Sequence, residues 1–116
     1  MVTRTRPLPA LVAALIAAGA AQAQPDPSPQ REHALVRMVR QDCGACHGMQ
    51  LTGGLGPPLT AQAMRDRSIE SIVATTLNGR PGTPMPPWRS MLSETDALWI
   101  AEQLRAGFPE QPKVSK

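Results

Sequence analysis

The rhythm of apolar and polar positions changes several times along this chain. Leu8 to Ala21 is an almost unbroken apolar run, rich in Ala and Leu. Further on, Leu35, Val36, Met38 and Val39 recur at helical spacing with Arg37 and Arg40 between them. That pattern predicts a helix ending near the cysteines. From Gly48 to Leu59 the periodicity stops, and four glycines with Pro57 and Pro58 predict a loop. Thr60 to Arg65 has the length of a short helix. Ile69, Ile72, Val73 and Leu77 form the apolar face of a further helix, with Ser68 as N-cap and Asn78-Gly79 as its stop. The loop RPGTPMPPWR follows. The last helix is predicted to start at Ser93, with Asp96 three residues on in a capping-box arrangement. Leu98, Ile100, Ala101 and Leu104 are its apolar positions and Gly107 its C′ residue. No alternating strand pattern and no internal repeat occurs, so the expected class is all-α.

The first apolar run differs in kind from the helices. Arg4 and Arg6 precede it and Ala21-Gln22-Ala23 closes it with a small-x-small cleavage pattern, which reads as a secretory signal over residues 1–23. The run is shorter than the roughly 20 apolar residues of a comfortable membrane span. Arg4 and Arg6 are not adjacent, and no cysteine lies near the cleavage site for a lipid anchor. Residues 24–30 carry three prolines and read as a flexible leading segment, 31–108 as a single domain, and 109–116 as a tail. Export makes a periplasmic location the expectation, with no membrane span in the mature chain. Two of the twelve Lys and Arg residues lie in the leader, so the mature chain carries one positive charge over its nine acids. Nucleic-acid binding has no basis in such a balance.

Candidate chemistry concentrates in QDCGACHGMQ, residues 41–50, which holds both cysteines and one of the two histidines. C-x-x-C-H is the attachment sequence of a c-type haem. Cys43 and Cys46 would form thioethers to the haem vinyl groups, and His47 would be an axial iron ligand. A redox dithiol would normally ride on a βαβ frame, which the pattern lacks. A structural zinc site would need Cys43, Cys46 and His47 with a fourth ligand such as His33, at a spacing unusual for zinc. The role of His33 stays open. A small domain with one Phe, two Trp and no Tyr has a limited core. A covalent haem would give Leu35, Leu59, Ile72 and Leu98 a large apolar plate to pack on. The sixth iron ligand has several candidates: His33, Met38, Met49, Met64, Met85 and Met91. Met85 is preferred because Pro84, Pro86 and Pro87 restrict the backbone around it. The plain alternative is a gap-filling methionine on a surface loop. No paired carboxylates, Ser-His arrangement or phosphate loop occurs, so no catalytic residue is assigned.

A helix leading into CGACH, then GPPL, a helix ending in LNG, then PMPPW and a final helix resembles the class I c-type cytochromes over nearly all of residues 30–107. The resemblance implies a small all-α cytochrome c-like domain, with crossing N- and C-terminal helices around one covalent haem c. It implies that the Pro57 carbonyl accepts a hydrogen bond from the proximal histidine and that Leu59 packs on the haem. Arg80 and Trp88 are candidates for the propionate side, though a solvated arginine and a packing tryptophan are equally plain readings. CGACHGMQLTGGLGPPL and LNGRPGTPMPPW are most similar to small periplasmic cytochromes associated with cytochrome-cd-type nitrite reductase in denitrifying bacteria. This implies a monomeric single-electron carrier with redox protein partners, possessing no enzyme activity of its own. The alternatives are an accessory in haem maturation or assembly of that reductase, or a haem enzyme with an open iron site.

Overall fold

The structure, a computed structural model, describes residues 1–3 and 24–111. The signal segment inferred over 1–23 and the end of the tail lie largely outside the described residues. Five α-helices follow one another: α1 (Pro29–Met38), α2 (Gly44–His47), α3 (Ala61–Met64), α4 (Ile69–Asn78) and α5 (Glu94–Ala106). A π-helical turn, Val39–Cys43, joins α1 to α2 without a break. No strand occurs among the described residues.

The helix starts follow local chemistry. Ser28, Thr60, Ser68 and Ser93 each cap a helix through a side-chain oxygen. α1 takes in Pro29 and Gln30 from the leading segment, because a proline at the first position has no N–H to leave unsatisfied. α5 carries the full capping box: Asp96 N–H donates to Ser93 Oγ and Ser93 N–H to Asp96 Oδ2, both at 3.0 Å.

One hydrophobic core joins the elements. α4 and α3 both pack against α5. Leu35, Val36 and Val39 from the first helix share the core with Ile72 and Leu77 of α4 and Ile100, Ala101 and Leu104 of α5. One expectation for α5 needs correcting. Leu98 is only half-buried and Trp99 occupies the core position instead. The reason is a tertiary partner: Phe108 meets the Trp99 ring edge-on at 6.2 Å and 81°.

The first and last helices are clamped at one end by an ion pair. Arg31 of α1 donates from Nε to Asp96 Oδ1 (3.2 Å) and from Nη2 to Asp96 Oδ2 (2.7 Å), with a further bond to Met91 O (3.1 Å). Asp96 is buried, and the Arg31 hydrogen bonds hold its carboxyl below the usual carboxylate range. Among the described residues no helix is long and apolar enough to cross a membrane.

Candidate haem site

The helix expected to end near the cysteines runs through both of them and ends at His47. In the π turn the Gly44 N–H bonds to Val39 O, five residues back. One extra residue in a turn rotates everything after it relative to a plain α-helix. The buried stripe of Leu35, Val36 and Val39 therefore continues through Arg40 and Gly44. A Cβ on Gly44 would lie 3.1 Å from Met49 Cα, so the turn accepts only a residue without a side chain there at little cost. Cys43 and Cys46, three apart on the helix, share a face and are both half-buried. Burial first, and Asp42 second, push the Cys43 thiol up to about 11. A thiol so disposed stays protonated near neutrality when no metal is bound to it. His33 is exposed on α1, and no metal-binding group of three or more His, Cys, Asp or Glu side chains forms among the described residues.

The loop after α2 folds back over the helix end. Gly48, at φ +85, turns the chain. The loop then satisfies the terminal carbonyls of α2: Gly53 N–H donates to His47 O and Gly56 N–H to Cys46 O, each at 2.8 Å. This closure brings Pro57 O to 2.7 Å from His47 Nδ1. A carbonyl can only accept, so Nδ1 is the donor in this contact, and in the corresponding neutral tautomer the Nε2 lone pair is the one available to a metal. Gly56 fixes the ring from the side. A Cβ there would sit 2.7 Å from both Cε1 and Nδ1 of His47. The donor set fits a haem iron: an imidazole held at Nδ1 by a backbone carbonyl, and two cysteines on one helix face.

A second loop carries Met85. Gly79 ends α4 at φ +68. Arg80 N–H donates to Met85 O (3.2 Å), and Met85 N–H to Thr83 Oγ1 (3.3 Å). Thr83 Oγ1 in turn donates to Arg80 O at 2.7 Å. Both backbone polar groups of Met85 are thereby tied down. The chain then returns to α4, where Trp88 N–H donates to Thr76 O and Arg89 N–H to Leu77 O. Among the other methionines, Met64 is buried in the core, Met38 packs at its edge, and Met49 and Met91 are exposed. The half-buried Met85 differs from these in being held by a loop bonded to itself.

The remaining sites named from the sequence divide. Leu59 and Trp88 pack partly buried against the core. The Arg80 side chain is exposed, beside an open depression of about 460 Å³ that also includes Thr75, Asn78 and Thr83 but none of Cys43, Cys46 or His47. The burial of Arg40 was not legible from the sequence. The sequence marks Gly56 and Gly79 only as loop and stop residues, and it assigns nothing to Thr83. A glycine directly before Pro57 was the available signal for Gly56.

Comparisons with known proteins bear on the family. The family model described as cytochrome c oxidase, cbb3-type, subunit III matches residues 30–103. The chain is 54% identical over 81 residues to cytochrome c55X of Pseudomonas aeruginosa, covering 70% of this chain and 68% of that protein. It is 50% identical over 95 residues to cytochrome c55X of Paracoccus denitrificans, covering 82% and 90%. Among solved structures, the c-type cytochrome NirC superposes with a TM-score of 0.68 at 52% identity, over 69% of this chain and 94% of that one.

Proposed function

The chain belongs to the c-type cytochromes, and we propose that it is a periplasmic carrier of single electrons holding one covalent haem c. The contact that supports this reading is His47 Nδ1 to Pro57 O at 2.7 Å, because a ring held through Nδ1 has Nε2 as its ligating nitrogen. Cys43 and Cys46 would hold the cofactor through thioether bonds, and His47 and Met85 would ligate its iron. Haem held there supplies a one-electron ferric/ferrous couple. Gly56 and Pro57 keep the imidazole in one plane and one tautomer. Arg80 and Thr83 keep the Met85 backbone in place in both oxidation states. A neutral thioether favours ferrous iron and raises the potential. Partly exposed apolar side chains against the core, Leu59, Val73 and Trp88 among them, offer the surface that the macrocycle covers. Arg80 and Trp88 serve its propionate side.

The similarity to cytochromes c55X and NirC supports a place beside a cytochrome-cd-type nitrite reductase in denitrification. The chain acts as a monomer that docks transiently on that partner and performs no catalysis of its own. The test is periplasmic expression, followed by an optical spectrum and a haem stain after denaturation. A low-spin spectrum with one haem retained per denatured chain is expected. Haem lost on denaturation would overturn covalent attachment. Stopped-flow mixing of the reduced protein with nitrite reductase then tests the carrier role. No electron transfer at any ionic strength would instead favour an accessory role in haem maturation.

A further inference from the structure

Among the described residues, Arg40 is the one cation buried in the core, and the roles assigned so far leave it unused. Only 7% of it is exposed, although a buried charge costs several kcal/mol unless it is compensated. Its compensation is unusual. Nε donates to Pro109 O (3.2 Å), Nη2 to Phe108 O (3.0 Å) and Pro109 O (2.8 Å), and Nη1 to Met49 O (3.3 Å). The guanidinium carbon lies 5.6 Å from the Phe108 ring centroid. All of these partners are neutral. The nearest carboxylate, Glu110, approaches only to 3.8 Å and has a side chain 87% exposed. The hydrogen bonds are satisfied, while the charge is offset only by this long, solvent-exposed ion pair.

The position matters as much as the charge. Arg40 lies in the π turn, one helical turn before Cys43, and it bonds to Met49, two residues after His47. Its contacts thus bracket the whole attachment segment. The depression it lines also includes Leu51 and Leu59. Oxidation of the iron adds one positive charge to the centre. A fixed cation nearby, in a medium of low effective dielectric, opposes that step more strongly than a solvated one. Arginine suits the task because it stays charged at any working pH.

We infer that Arg40 is a positioning residue for the redox centre, whose buried positive charge biases the iron towards its ferrous state and raises the potential. The inference rests on the haem reading above and adds to it. The experiment compares midpoint potentials of holoprotein carrying Arg40→Gln, Arg40→Lys, Glu110→Gln and the exposed control Arg37→Gln. Arg40→Gln should lower the potential with the low-spin spectrum intact, and the shift should persist in about 1 M salt, where exposed charges are screened. Arg40→Lys should recover most of the wild-type potential. Arg37→Gln should give a small shift that salt abolishes. Glu110→Gln perturbs nothing buried and keeps the test open if Arg40→Gln does not fold. It should raise the potential at low ionic strength. An unchanged potential in spectrally intact Arg40→Gln, or an equal fall in Arg40→Lys, would overturn the inference. So would no response to Glu110→Gln at low salt. These results leave the haem reading standing, whereas a wild-type protein without covalent haem would overturn that reading itself.

Discussion

Gly79→Ala tests how the Met85 loop is held. Two costs arise at this position. The backbone sits at φ +68, ψ −169, a region essentially reserved for glycine, where an L-residue costs about 1–3 kcal/mol. The added Cβ would also lie 2.7 Å from Met85 O, 2.8 Å from Pro86 C and 2.8 Å from Pro87 N. These are backbone atoms and cannot rotate away, so the loop must shift, at a cost of about 1–3 kcal/mol. The midpoint of the combined range, about 4 kcal/mol, corresponds to a fall in Tm on the order of 20 °C for a domain of this size. Gly82→Ala separates the two effects. Gly82 also has positive φ, +78, but a Cβ there meets nothing within 4 Å. It should cost about 1–2 kcal/mol through the backbone alone and leave Met85 where it is. Thermal unfolding of both holoproteins, read beside the weak near-infrared sulfur-to-iron band, checks this. Gly79→Ala should lose both stability and band, while Gly82→Ala loses only a little stability. Equal Tm values with the band retained in both would refute the reasoning that Gly79 seats the methionine.

Other outcomes follow from the same geometry. Met85→Ala should keep its haem, shift the ferric spectrum towards high spin and lower the potential; Met91→Leu, at an exposed position, should change little. Replacing both Cys43 and Cys46 by Ser should remove covalent haem and most of the helical circular dichroism, and a well-folded haem-free variant would reject a structural role for the cofactor. Electron transfer to nitrite reductase should depend only modestly on ionic strength, since the mature chain is close to neutral, and a steep fall with salt would point to a local patch around Arg80 and Arg89. Asp96 has a folded pKa lowered chiefly by Arg31, so below the unfolded value of about 3.9 the unfolded chain binds more protons. Its contribution is complete above about pH 5 and lost as pH falls through the folded pKa, so Asp96→Asn should flatten the acid limb of a Tm-against-pH curve.

What could be read from the sequence was what local chemistry decides. α4 begins after Ser68 and ends at Asn78 because a serine cap and an Asn-Gly stop lie within a turn of the residues they serve. The capping box of α5 is local in the same way. C-x-x-C-H states its chemistry by spacing alone. The rest required partners distant in the chain. The helix passes through the cysteines by a π turn whose Arg40 is bonded to Phe108 and Pro109, far along the sequence. Leu98 and Trp99 are adjacent apolar residues, and helical periodicity alone could not choose between them without Phe108. Asp96 was legible as a cap, but its second bond to Arg31 belongs to the packing of two helices. Gly56 against His47, and Gly79 against Met85, are close approaches between segments, and sequence shows a glycine without showing what it meets.

These close approaches bear on the electron-transfer reading. A carrier reacts fast when its ligands need not move between oxidation states. The imidazole plane is set by a loop carbonyl and a missing Cβ, and the methionine backbone by the N–H of Arg80 and the hydroxyl of Thr83. The backbone that carries each proposed ligand is thus held by hydrogen bonds rather than by side-chain packing alone. Both loops are moreover bonded to helix ends, Gly53 and Gly56 to the end of α2, and Trp88 and Arg89 to the last turn of α4. Displacement of either loop backbone must break hydrogen bonds to the end of a helix. On this argument, substitutions at Gly56 or Gly79 slow electron transfer before they reduce haem content, because thioether attachment through Cys43 and Cys46 does not pass through either glycine.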